Sequence, residues 1–368
     1  MSKRYTTPLI FGFCLIGALY YFFETILEVA PSTMVDPMMN SFHIGGAKAG
    51  FIDVAYFVTY AIMQIPGGIL LARYGARRIM PIAGFMVAFG LGLFALSHHY
   101  GFALFARILA GFGGAFGIMG ALFIVSSWCK PRFLAFAIGI TITIGLSGGL
   151  LQGLVSFLVE TLSWRGTVCI FSIVACGFIA AFVLLYRDNP NRAHTYQTPW
   201  LDAWQVITNW RYWPIAVFGG LIYAPTATIG SMWGGNFLQA YFPSITHTTA
   251  SEINGLIFLG WIVGSPLSGL ISDLVKNRKW LLVICSAMVL ICLLIITFDV
   301  HLSLYWMSLL YFLVGLFSSL SALTFAMGCE IKPKVRGTAI GFVNMLAILP
   351  ALVTTPLFGH ILDKHWTG

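Results

Sequence analysis

Eleven apolar runs follow one another along the chain, at about 8–31, 49–72, 79–97, 101–127, 133–158, 166–186, 213–240, 252–275, 280–298, 304–328 and 337–361, with short polar connections between them. A helix of about 20 apolar residues matches the hydrocarbon thickness of a bilayer. Backbone amides in lipid find no water, so each run must close its own hydrogen bonds as a helix unless strands close into a barrel. None of the runs alternates with the period of two that barrel strands require, so all eleven read as helices. Composition agrees. The 368 residues are 59% hydrophobic and 9% charged, whereas a soluble domain carries roughly 25% charged residues. The expected class is an all-α polytopic membrane protein, with no sizeable soluble domain.

Orientation follows from the basic residues. With the N-terminus inside, sixteen Lys and Arg fall on the cytoplasmic side, including Lys3, Arg4, Arg73, Arg77, Arg78, Arg211 and Lys332, and three (Lys48, Arg165, Lys364) fall outside. One missed span would invert every later loop, so this asymmetry supports the count as well as the direction. It also accounts for the net charge of +8 without nucleic acid, because the basic residues form short clusters between spans and no continuous patch. The first run is long and lacks a small-residue cleavage site, so it reads as a span and not a signal peptide. The seven cysteines show no CxxC or Cys/His spacing and imply no metal.

An internal repeat organises the runs. Lys130-Pro131-Arg132 with Ala137-Ile138-Gly139 recurs 202 positions later as Lys332-Pro333-Lys334 with Ala339-Ile340-Gly341. Gly68 with Arg77-Arg78 recurs after 201 positions as Gly269 with Arg278-Lys279. Asp53 falls opposite Asn254, and Tyr60 opposite Trp261. The expected organisation is a six-helix half at 1–186, a cytoplasmic linker at 187–212 and a second half at 213–368, with parallel topology about an axis along the membrane normal. In the linker, Trp200, Trp204 and Ile207 share a face that suits the membrane interface. The displacement maps Trp164 and Gly166 onto Trp366 and Gly368, so the expectation is a shortened twelve-span protein, with eleven helices present and helix 12 missing.

Along its whole length the sequence resembles the major facilitator superfamily. That family's loop motif, G-x-x-x-D-R-x-G-R-R/K, stands here as Gly68, Ala72, Arg73, Gly75, Arg77 and Arg78, and more loosely as Gly269, Asp273, Arg278 and Lys279. The resemblance implies a cytoplasmic gate at these positions, with Ala72 in place of the first acid. The R-x-x-x-G of the fourth span matches Arg107 and Gly111. Tyr20-Tyr21-Phe22-Phe23-Glu24, Val29-Ala30-Pro31-Ser32 and Tyr60 to Gly68 resemble the proteobacterial intraphagosomal amino-acid transporter branch. This resemblance implies a secondary active carrier in the bacterial inner membrane that imports amino acids or related metabolites. Gly145-Leu146-Ser147-Gly148-Gly149 lacks the proline of the family's antiporter signature, which argues against a drug-proton antiporter.

Ionisable side chains inside a bilayer are costly and persist when paired, hydrated or functional. Glu24 and Glu28 share a helical face with Tyr20 at spacings of four. Asp53, Tyr56, Tyr60 and Gln64 form a second polar stripe, and Arg107 lies inside the fourth span. Glu24, Glu28, Asp53 and Arg107 are therefore the expected proton-coupling group, the acid gaining or losing its proton as its distance from Arg107 changes during alternating access. A static ion pair that fixes packing is the plain alternative. Expected substrate contacts are Tyr20, Glu24, Tyr56, Tyr60 and Gln64, with Tyr223, Thr226, Ser231, Trp233 and Asn236 in span 7 and Asn344 in span 11. An acid would take the amine of an amino acid, and polar-tipped aromatics would wall it in. No Ser/His/Asp, HExxH or phosphate-loop pattern supports an enzyme, and neither a metal nor another cofactor is expected. Expected partners are a small molecule, protons and the lipid bilayer, with the protein a monomer. An organic-anion exchanger or efflux carrier of the same fold, and a non-transporting membrane receptor, are the alternative readings.

Overall fold

The computed structural model describes residues 7–129, 131–190, 199–275, 278–298, 301–332 and 336–365. Among them the chain is helical, with α1 at Thr7–Val29, α2 at Val35–Phe42, α3 at Gly46–Tyr74, α4 at Ala76–Ala95, α5 at Tyr100–Gly114, α6 at Phe116–Trp128, α7 at Pro131–Leu146 and α8 at Gln152–Leu184. The second series begins with α9 at Pro199–Ile207, α10 at Tyr212–Pro225 and α11 at Gly234–Tyr241. It continues with α12 at His247–Val275, α13 at Arg278–Phe298, α14 at Leu304–Ser318, α15 at Ala322–Ile331 and α16 at Arg336–His365. Each of the eleven apolar runs falls on these helices. The stretch 191–198, Trp366, Gly368, the surroundings of Gly269 and the side chains of Trp200, Asp273 and Arg278 lie outside what the structure describes.

Nine helical stretches among the described residues are long and apolar enough to cross a membrane. Two of the eleven runs share one of these stretches. The fifth and sixth join in one helical stretch, Gly139–Leu184, which turns back at Ser163, a residue in the left-handed region (φ 68°).

Two pairs of helices have equal lengths. Helices α3 and α12 both have 29 residues, and α5 and α14 both have 15 before a break in the helix. A 3-10 turn at Ala30–Thr33 follows α1, with Pro31 at its start, and a π-helical turn at Thr226–Trp233 separates α10 from α11. Wide turns of this kind place carbonyls and side chains where a regular ladder cannot.

Side-chain contacts define two ends. At one, α2 and the start of α3 meet the Ser163 turn of α8 and the end of α16: Trp164 Nε1 donates to Ser41 Oγ at 3.0 Å, and Arg165 reaches Ser97 O at 2.9 Å. At the other, Asp188 meets the start of α4, Asn189 donates to Ser127 O, and Phe13 packs on Trp128 and Tyr186. Between the ends, apolar cores join α1, α4, α5 and α8 in the first series and α11, α12, α13 and α14 in the second. Phe85, Phe89, Leu154, Leu221 and Ile284 remain exposed on the outer flanks, as lipid-facing side chains do. Van der Waals packing, not aversion to water, holds such helices together.

Candidate functional site

Glu24 occupies the middle of α1 at 1% exposure. Small residues of the fourth span make room for it. A Cβ on Gly117 would sit 2.8 Å from Glu24 Cγ and Oε2, and one on Gly114 would overlap the Tyr56 hydroxyl. The glycines thus let α6 and α5 close on α1 and α3. The Tyr56 hydroxyl donates to Glu24 Oε1 at 2.9 Å, while Oε2 has no hydrogen-bond partner.

Arg107 of α5 stands over the Tyr56 ring at 4.6 Å, a cation–π contact. Its NH2 lies 3.5 Å from Asp53 Oδ1, with both residues at 3% exposure or less. That separation is an ion pair longer than a good hydrogen bond, and neither atom has another partner. Arg107 Nε donates to the Ile52 carbonyl at 3.4 Å. Asp53, Arg107, Tyr56 and Glu24 therefore form one chain across α3, α5 and α1. A small pocket of about 20 Å³ lies behind Arg107 among apolar side chains including Leu27, Met34, Leu91 and Phe94. It has room for about one water molecule.

Glu28, one turn further along α1, faces the second series. The Tyr223 hydroxyl of α10 donates to its Oε1 at 2.7 Å. Tyr223 stands edge-on to Trp261 at 5.6 Å, and Trp261 Nε1 donates to Thr226 Oγ1 at 3.0 Å. Nearby, a neutral amide knot ties α8, α12 and the π turn: Asn254 Nδ2 donates to Gln152 Oε1 at 2.7 Å and to Gly230 O at 2.8 Å, and Gln152 Nε2 donates to Gly230 O at 3.2 Å. Ser32 Oγ lies 3.2 Å from Gln152 Oε1.

The expected residues divide between two neighbourhoods and the periphery. Glu24, Glu28, Asp53, Arg107, Tyr56 and Tyr60 come together, with Asn344 facing the Tyr60 hydroxyl. Tyr20 turns its hydroxyl to Gly113 O at 3.5 Å and packs its ring on Phe178 and Phe182. Gln64 is buried further along α3, with Oε1 unpartnered. Trp233 donates to Thr355 O of α16, and Asn236 donates to Asp36 Oδ1 at the α2 end; these two lie apart from the acids. Ser231 Oγ is buried without a hydrogen-bond partner.

In the loop motif, Gly75 has φ 81°, a conformation that glycine tolerates best. Arg73, Arg77, Arg78 and Lys279 are exposed, and Gly68 has no atom within 4 Å of a would-be Cβ. The acid missing at Ala72 has a spatial substitute that sequence reasoning did not find. Asp188 accepts from the Arg77 N–H at 3.3 Å, placing a carboxylate at the N-terminus of α4. Asp363 was missed in the same way. It accepts from the N–H groups of Gly46 at 2.6 Å and Ala47 at 3.0 Å, so the end of α16 caps α3. Losing a cap of this kind costs about 1 kcal/mol. Asp363→Ala is therefore expected to speed hydrogen exchange at Gly46 and Ala47 about fivefold, with Asp363→Asn less affected; equal exchange in Asp363→Ala would show that the cap is idle.

Comparison with known proteins bears on this geometry. The profile of the Major Facilitator Superfamily matches residues 13–355. A "Probable anion transporter 6, chloroplastic" of Arabidopsis thaliana is 26% identical over 92% of this chain and 71% of that protein. A "Probable sulfoacetate transporter SauU" of Cupriavidus necator is 21% identical over 95% of this chain and 86% of its own. Among solved structures, a bacterial homolog to the human lysosomal transporter Spinster, inward-facing and occupied, superposes with a TM-score of 0.74 at 17% identity, covering 98% of this chain and 85% of that one. A D-xylose-proton symporter gives 0.73 at 15% identity, covering 97% and 91%.

Proposed function

The chain belongs to the Major Facilitator Superfamily and is a multi-pass transporter of small solutes, and on that premise we propose that it is a proton-coupled importer of an amino acid or a close relative. The observation that carries the proposal is Glu24. A carboxylate at 1% exposure, with one oxygen unpartnered and a single tyrosine hydroxyl on the other, costs several kcal/mol to keep ionised in a low-dielectric span. Binding a proton removes that cost. Opening toward water, or bringing a cation near, restores the charge.

The proposed cycle is rocking of residues 1–186 against 213–368 about the acid cluster. The Lys and Arg distribution supports a cytoplasmic N-terminus, which makes the α2 end the outer one, and the resemblance of α1 and α3 to the amino-acid transporter branch implies a bacterial inner membrane. There Glu28–Tyr223, Gln152–Asn254, Asp36–Asn236 and Asp363–Gly46 draw the two series together, the arrangement of a carrier closed to the outside. Protonation of Glu28 would turn the charge-assisted bond from Tyr223 into a weaker neutral one. A positive charge placed there, carried by a ligand or a proton, would therefore loosen the outer seam.

The printed names of the relatives favour a second reading, transport of an organic or inorganic anion, with Arg107 as the buried cation. Against it stands Asp53, which already faces that guanidinium. Uptake into liposomes carrying the purified protein, with an inward proton gradient and a labelled amino-acid mixture outside, tests the proposal. Wild-type protein is expected to accumulate label above the external level, and Glu24→Gln to lose more than tenfold of that accumulation. Equal accumulation in Glu24→Gln would exclude Glu24 coupling, and gradient-independent uptake of sulfoacetate or phosphate would select the anion reading.

A further inference from the structure

We propose that the two acids of α1 have separate cargoes: Glu28 holds the ammonium group of an organic amine ligand, and Glu24 holds the co-transported proton. The assignment rests on the proton-coupled reading above, keeps its proton on Glu24 and gives the ligand to Glu28.

Charge is the first argument. The buried ionisable residues described within the spans, apart from hydroxyls and thiols, are Glu24, Glu28, Asp53 and Arg107. Fully ionised, three carboxylates against one guanidinium leave the cluster two positive charges short. In a medium of low dielectric such a deficit draws cations in and repels anions. A proton and an ammonium group each supply one charge. An added sulfonate, phosphate or carboxylate would deepen the deficit, and no buried cation is described on the later helices to hold it.

Geometry decides which cation goes where. Glu24 is walled within the first series: Gly117 of α6 lies against Cγ and Oε2, and Tyr56 occupies Oε1. A proton needs no room there, but an alkylammonium would have to push α6 aside. Glu28 sits where α1 meets α10, and its described hydrogen bond is the one from Tyr223, a contact between the two series that parts when they rock. The Tyr223 ring is edge-on to Trp261, and Tyr21 and Tyr60 lie within electrostatic reach of Glu28. A carboxylate with tyrosines beside it is a setting for an ammonium ion, which takes an ion pair from the one and cation–π contacts from the others. The second series also holds a buried polar group that is still unsatisfied. Ser231, on the π turn that follows α10, is fully buried with an unpartnered hydroxyl, a neutral donor for the remainder of an amine-bearing molecule.

The test is ligand-induced thermal stabilisation of the purified full chain in detergent, where no gradient is needed. The probes are each common amino acid, its decarboxylated amine and its deaminated acid, together with sulfoacetate and inorganic phosphate. At least one amine-bearing probe is expected to stabilise the protein, while its deaminated partner, sulfoacetate and phosphate do not. Glu28→Gln is expected to weaken the active probe more than tenfold, with partial recovery in Glu28→Asp. Tyr223→Phe, which frees Glu28 Oε1, is expected to tighten it. Stabilisation by an acid lacking the amine, failure of every amine, or undiminished affinity in Glu28→Gln would each overturn the assignment, and weakening in Tyr223→Phe would do so even if Glu28→Gln failed to fold. Proton coupling is read separately in liposomes, so loss of coupling with amine binding intact would fault the coupling reading and leave the ammonium site standing.

Discussion

Arg107→Gln is expected to destabilise the protein by about 3–5 kcal/mol, and Asp53→Asn added to it to return most of that loss. The reasoning starts from burial. Both residues are at 3% exposure or less, and their facing atoms are described with no other partner. Removing the guanidinium leaves Asp53 charged among apolar side chains, with no water to solvate it. Neutralising both partners removes two desolvation costs together with the attraction that offset them, so the double variant approaches the wild type in stability. Thermal unfolding of the four proteins in one detergent, read as a double-mutant cycle, checks this. If Arg107→Gln alone were as stable as the double variant, the pair would be a surface-like contact and its burial of no energetic consequence. Transport separates the packing role from the coupling role, because a stable double variant that no longer moves protons would place Arg107 in the mechanism.

The second large effect concerns glycines that look alike in the sequence. Gly114→Ala is expected to reduce transport more than tenfold and to destabilise by about 1–3 kcal/mol, the usual cost of overpacking. Gly101→Ala, also in α5, is expected to be neutral or slightly stabilising, because alanine is the better helix former. The added methyl at Gly114 would overlap the Tyr56 hydroxyl that bonds Glu24, whereas at Gly101 it meets no atom within 4 Å. Uptake and melting of the two variants, measured side by side, decide the matter. Equal behaviour would mean that α5 shifts freely and that the Tyr56–Glu24 contact does not depend on its close approach.

Legibility in the sequence was uneven. The helical, membrane-spanning character of the runs could be read because bilayer thickness and backbone hydrogen bonding act on each run locally. That Glu24, Glu28, Asp53 and Arg107 cluster was readable as well, since charge in lipid is costly wherever it stands. Partnerships were not. Tyr20 shares a helical face with Glu24 yet bonds Gly113 O, while Tyr223, 195 positions from Glu28, donates to it. Helical spacing states which side chains share a face and is silent on which neighbour that face meets.

Asp188 and Asp363 make the same point at the helix ends. Each is an ordinary polar residue near a terminus of its own helix, and each becomes a cap only because another helix begins beside it. The sequence by itself determined a lipid-embedded bundle of helices with buried acids, because hydropathy and charge act residue by residue against a uniform solvent. Tertiary structure alone decided that Glu24 is walled in by Gly117 while Glu28 lies on the seam between the series. That distinction depends on how closely two helix backbones approach, a quantity set jointly by glycines on one helix and side chains on another.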